Sequence, residues 1–152
     1  MENIELLKKV RIFYELAEAE LKRFAEIAQE KKFIKDTVII EEGAEGQALF
    51  IVKRGTVSVS KIDQEMETEL VKLVAGEHFG EMSLLDNAKT SARVKAYNDV
   101  ECIVISRDPF LKLLDGEVAI AATVYKNFAL ALSERLRGTS EELVVWKPDI
   151  EL

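Results

Sequence analysis

One histidine and one cysteine are all that 152 residues offer to metal or thiol chemistry. With His78 alone, the multi-histidine centre of a barrel-shaped metalloenzyme cannot be built. With Cys102 alone there is no intramolecular disulfide, which fits a reducing, cytoplasmic setting. A Cys102–His78 nucleophile pair can be written down. Cys102, however, lies in the apolar run Val100 to Ile105, where a thiol packs as a small core residue. Gly-x-Gly-x-x-Gly, Gly-x-x-x-x-Gly-Lys and Gly-x-Ser-x-Gly are all missing. No apolar run reaches the roughly 20 residues of a membrane span, and Met1 to Glu5 is acidic, unlike a secretory leader. Basic residues are outnumbered, 21 against 28, and a net charge of -7 repels nucleic acid and anionic lipid. Enzymatic, nucleic-acid and membrane roles are therefore not expected.

What is present suits one globular domain. Apolar residues at 48% and charged residues at 32% allow a real core, in a chain too short for two. From Glu5 to Ala28 apolar residues fall at helical spacing, with a break predicted over Arg11 to Tyr14. After Phe33 the period shortens. Val38 to Ile40, Ala48 to Val52, Val57 to Ile62, Leu70 to Val74, Arg93 to Ala96 and Val100 to Ser106 read as short strands. Asp63 to Thr68 reads as a hairpin tip. Short strands at near-regular intervals predict an antiparallel barrel or jelly roll. The expected class is α+β, mainly β, with helices before the barrel and a long helix after it.

Pro109 suits the first turn of that final helical region. Val118, Ala122, Tyr125, Ala129, Leu132 and Leu136 repeat there at alternating spacings of four and three, a heptad-type seam. Ala121, Val124, Phe128 and Ala131 form a second stripe. One stripe is assigned to the barrel and the other to a partner helix, giving a homodimer. A single wide face buried on the sheet is the competing reading. Gly138 is the expected C-cap, which sets the domain at residues 1–138 and a tail at 139–152.

The densest signal is Phe79 to Ala96, which reads as a phosphate-binding cassette: a Gly80-Glu81 turn, a short apolar helical turn, a loop and a strand. Backbone N–H groups gathered at a turn and a helix start can hold an anion.

These parts in this order resemble the cyclic-nucleotide-binding domain family from about Leu7 to Arg137. Val38 to Gly43, Gly46, Ala48 to Val52 and Gly55 look like its opening strands. Phe79-Gly80-Glu81-Met82-Ser83-Leu84 matches the start of its cassette, and Phe110 with the closing helix matches its last two helices. The resemblance gives Glu81 the ribose 2′-hydroxyl as hydrogen-bond donor, and makes Gly80 a point of close backbone approach. It places N–H groups of Met82 and Ser83 at the anion. It also offers Trp146, from the C-terminal segment, as a lid on the base; packing of the tail on a partner or on the barrel's outside is the other reading. His78 either sits at the pocket mouth or is an exposed strand-end histidine.

One position departs from the family. Where its members carry Pro-Arg-Ala/Ser/Thr-Ala, this chain has Lys89-Thr90-Ser91-Ala92. Ser91 and Ala92 fit, whereas Thr90 replaces the phosphate-binding arginine. A hydrogen bond to a charged group contributes roughly 1.5–3 kcal/mol, so the loss weakens binding about tenfold to more than a hundredfold. Arg93 and Lys95 alternate away from Ala92 and Val94 and should face solvent. Lys89 is the one stand-in within reach, as a point charge without the fork, or else a solvated surface lysine. The expectation is a non-enzymatic regulatory domain with no cofactor that binds cAMP or cGMP weakly or not at all. It would act through protein interaction with an unknown effector, or through another ligand. A genuine cyclic-nucleotide sensor and an unrecognised barrel enzyme are the alternatives. Thr139 to Leu152 are too few for a helix-turn-helix, so direct DNA binding is not expected.

Overall fold

A computed structural model of the chain describes residues 2–146. Helix α1 (Glu2–Lys8), a 3-10 turn (Arg11–Phe13) and α2 (Glu18–Ile27) open the fold, broken where the sequence pattern breaks. The Ala17 N–H donates to the Glu20 carboxylate at 2.8 Å, so α2 starts on half of a capping box. Eight strands follow: β1 (Ala28–Phe33), β2 (Val38–Ile40), β3 (Ala48–Arg54), β4 (Val57–Asp63), β5 (Met66–Leu73), β6 (His78–Phe79), β7 (Arg93–Ala96) and β8 (Val100–Ser106). Helix α3 (Glu81–Asp86) separates β6 from β7, and α4 (Arg107–Gly116) and α5 (Val118–Trp146) close the chain.

The strands form two antiparallel sheets, ordered β1-β8-β3-β6 and β2-β7-β4-β5. Among the described residues no ladder joins them, so the jelly roll is not a fully hydrogen-bonded barrel. Central strands β3 and β8 are buried on both faces. Leu49, Ile51, Ile103 and Ile105 pack against the helices, while Ala48, Val52, Cys102 and Val104 pack toward the second sheet. Each fully buried Leu or Ile stabilises the fold by about 1.5–3 kcal/mol. Phe24 ties the helical layer together, with ring centroids 4.7 Å from Phe13 and 5.8 Å from Phe110.

Helix α5 presents two different faces. Ile120, Val124 and Phe128 are buried in the helical cluster with Phe13 and Phe110. Val118, Ala122, Tyr125, Ala129, Leu132 and Leu136 are all exposed. A single wide buried face is thus excluded, and the buried stripe lies on the helical layer. Buried Asn127 fixes the helix in place, donating to the carbonyls of Ile12 at 3.1 Å and Tyr14 at 2.7 Å.

Three elements differ from the sequence reading. Strand β1 was not expected, because Gln29-Glu30-Lys31-Lys32 is polar and exposed and shows no alternation. It exists through backbone pairing with β8, from Ala28↔Ile105 to Phe33↔Val100. The hairpin tip narrows to Gln64-Glu65, both left-handed at φ 49° and 68°, as in a two-residue turn whose twist matches the strands. Finally, Gly138 caps nothing: α5 runs through it to Trp146, and an interior glycine costs a helix only about 1 kcal/mol. No described helix is long and apolar enough to cross a membrane.

Candidate ligand-binding site

The site begins at a glycine that no other residue could replace without strain. Gly80 follows β6 at φ 88°, and a Cβ there would stand 2.5 Å from the Ala48 carbonyl oxygen. The turn swings the chain off β3 into α3, placing Glu81 on its first turn. Leu84 is fully buried and anchors α3; Glu81 and Ser83 are buried beside it, while Met82 is exposed. Gly46 completes the approach from the other side, since a Cβ on it would meet Ser83 Cβ at 2.4 Å.

These elements border a cavity of about 400 Å³ between α3 and the inner face of the second sheet. Phe79, Gly80, Glu81, Met82, Ser83, Thr90, Ser91 and Ala92 all line it. Leu84 and Lys89 do not. Leu84 is core, and Lys89 is exposed, bridged by its backbone to Glu45. Apart from His78, the remaining wall is apolar: Ile40, Val59, Val71, Leu73 and Val94. Of these, sequence reasoning set only Val94 toward the interior, through its alternation with Arg93 and Lys95. Their strand alternation was visible, but which face meets the cavity depends on how β2, β7, β4 and β5 pair.

Thr90 does a structural job. Its hydroxyl donates to the Glu41 carbonyl at 2.6 Å and accepts from the Ala44 N–H at 3.0 Å. Its own N–H donates to Ala44 and its carbonyl accepts from Gly43, at 2.7 and 2.8 Å. The β2–β3 loop is therefore stitched to the cassette. Arg93 points elsewhere, as alternation predicts: its guanidinium forks onto the Glu41 carboxylate at 2.8 and 3.1 Å and touches Glu67 at 3.4 Å. That fork holds the Glu41 carboxyl below the ordinary carboxylate range. Among the described residues no lysine or arginine lines the cavity.

His78 is not the exposed strand-end residue of the simpler expectation. Pairing of β6 with β3 sets it under α3, its side chain only 14% exposed. Its Nδ1 lies 3.4 Å from a Glu81 carboxylate oxygen yet has no hydrogen-bond partner. His78, Glu81 and Met82 also line a second cavity of about 570 Å³, bounded by the 3-10 turn, α3 and α5. The Trp146 side chain lies outside the described residues, and so does the lid expectation.

Cys102 is buried between the sheets, and burial pushes its thiol up to about 12. Among the described residues no group of three or more His, Cys, Asp or Glu could hold a metal.

A family model described as "Cyclic nucleotide-binding domain" matches residues 30–117. The chain belongs to the cyclic-nucleotide-binding domain family. Its similarity to the Cyclic AMP receptor protein of Thermus thermophilus is 33% identity over 138 residues, spanning 90% of this chain and 62% of that protein. It is also 30% identical over 116 residues to cGMP-dependent protein kinase, isozyme 1, of Drosophila melanogaster, covering 74% of this chain but 15% of the kinase. The chain thus spans only part of the curated relatives it matches. Among solved structures, the Thermus thermophilus Catabolite Activator Protein superposes with a TM-score of 0.79 at 32% identity, over 90% of this chain and 62% of that one. The regulatory domain of Toxoplasma gondii PKA, crystallised with cAMP, gives 0.71 at 30% identity, over 74% and 43%. The jelly-roll class expected from the sequence is the class found.

Proposed function

We propose that this cyclic-nucleotide-binding domain is a non-catalytic regulatory module whose pocket binds cAMP and cGMP weakly or not at all. It acts instead through another ligand or a protein partner. Thr90 carries the reading. The residue standing where the family places its phosphate-binding arginine has its hydroxyl committed to the Glu41–Ala44 turn, and among the described residues no lysine or arginine lines the cavity. A cyclic phosphate entering there would find no described lysine or arginine in the wall to pair with. Titration calorimetry of the purified chain with cAMP and with cGMP tests it. Absent or very weak binding is expected, and a sub-micromolar Kd for either nucleotide would make the chain a genuine sensor.

The exposed α5 seam supports a homodimer through that helix. Six apolar or small residues at heptad spacing lie on one uncovered face, the pattern by which two identical helices interlock. A -7 charge argues against nucleic acid as partner, and fits a cytoplasmic regulatory module. Light scattering should give twice 17.1 kDa, and Leu132→Glu with Leu136→Glu should halve it. A 17.1 kDa particle for the unmodified chain at working concentration removes the dimer.

A further inference from the structure

Helix α5 is pinned to the 3-10 turn at two places. Asn127 bonds the Ile12 and Tyr14 carbonyls, and two turns farther along Glu134 meets Arg11 at 3.1 Å. Between these struts Phe128, Ala131 and Leu132 line the cavity of about 570 Å³, with Ile12 from the 3-10 turn and Met82 and Leu85 from α3 across from them. Position 131 carries only a methyl group, so the struts hold α5 over a space that its own side chains leave open. Met82 and Leu132 are exposed there.

The charged groups in this wall, among the described residues, already have partners. Arg11 and Glu134 neutralise each other, and the Arg11 guanidinium also lies over the Tyr14 ring, 5.3 Å from its centroid. Asp86 accepts from the Ala88 N–H at 2.9 Å. The Glu81 carboxylate, 3.4 Å from His78 Nδ1, is engaged as well. What the chamber has left to offer is apolar surface.

We propose that this chamber is a second ligand site, separate from the cassette, for an uncharged aromatic small molecule. Covering Met82, Leu85 and Leu132 removes apolar surface from water, which drives the binding. Phe128 and Met82 favour an aromatic occupant, through ring packing and the contact of a thioether with a ring edge. A charge on the occupant would lose water and meet no described counter-charge that is not already paired. The volume is that of a small-molecule site. The site does not depend on what the cassette pocket takes, because the residues that favour the ring lie on the α5 side of α3.

Three matched probes test this on the full chain by calorimetry: neutral naphthylmethanol, cationic naphthylmethylamine and anionic naphthoate. Naphthylmethanol should bind, and each charged analogue should bind about tenfold more weakly. Ala131→Leu fills the chamber; it should weaken naphthylmethanol at least about tenfold while holding or raising Tm, which reports that the variant is folded. Should that variant not fold, nuclear Overhauser contacts in the unmodified chain locate the probe: contacts to Leu85 and Phe128 are expected, and contacts to Val59 and Val94 instead would put it in the cassette cavity and overturn the second site. Absent naphthylmethanol binding, a charged analogue that binds as well, or affinity that survives Ala131→Leu also overturns it. So does affinity that falls as chain concentration rises, which would give the chamber to a second copy's helix. Titration with cAMP, run separately, reads the cassette pocket alone.

Discussion

Replacing Thr90 by arginine should do two opposite things at once, and both sizes follow from its contacts. The hydroxyl makes two hydrogen bonds to the β2–β3 loop, at 2.6 and 3.0 Å, in a side chain that is 9% exposed. Neutral hydrogen bonds of this kind contribute about 0.5–1.5 kcal/mol each, so Thr90→Arg should lose about 1–3 kcal/mol of stability. For a domain of this size that lowers Tm by about 2–12 °C. The same substitution restores a guanidinium at the cavity wall, where a charge-assisted fork on phosphate contributes about 1.5–3 kcal/mol. Affinity for cAMP should therefore rise about tenfold to more than a hundredfold. Thr90→Val separates the two effects: it removes the hydroxyl, supplies no cation, and should lower Tm without any gain in affinity. Calorimetry with cAMP and a thermal melt, on all three proteins, complete the assay. The reasoning fails if Thr90→Arg melts with the unmodified chain, or if its cAMP affinity does not change.

Two further predictions concern stability. Asn127→Ala strips the donors from the Ile12 and Tyr14 carbonyls; it should cost about 1–3 kcal/mol in chemical denaturation and raise amide exchange around the 3-10 turn. Glu41, Glu42 and Glu69 sit below their ordinary 4.5, chiefly through hydrogen bonds from Arg93, Lys61 and Ser58 respectively. With folded values lowered, their stabilisation is fully present above about 4.5 and fades as pH falls through the lowered values, because the unfolded chain takes up protons first. Stability measured from pH 6 to pH 3 should decline at the acid end, and Glu41→Gln should flatten that decline; an unchanged slope would show that the Arg93 fork adds nothing.

The cassette was legible because its chemistry is local. Phe79 to Leu84 specifies a turn, a short helix and a buried anchor within six residues, and the alternation of Arg93 around Ala92 and Val94 is a period of two. The two stripes of α5 were legible for the same reason. Strand β1 was not, since nothing in Gln29 to Lys32 alternates and its pairing partner lies about seventy residues away at β8. Nor could the sequence show that His78 and Glu81 stand between two cavities. That arrangement depends on α5 crossing the 3-10 turn, a contact fixed by Asn127. The job of Thr90 fell between these cases: the missing cation could be read from the chain, while the loop it fastens could not.

The polar, charged face of β1 has a consequence for how copies of this chain can meet. A strand at the border of a sheet offers free backbone groups to any other strand, and lysines there make such an approach unfavourable. Lys31 and Lys32 guard that border, and Glu67, Glu69 and Lys72 guard β5 at the border of the other sheet. With these two of the four edge strands guarded, β1 and β5 resist strand addition from another copy. In the proposed homodimer, copies of the chain would meet through α5 rather than through these strands.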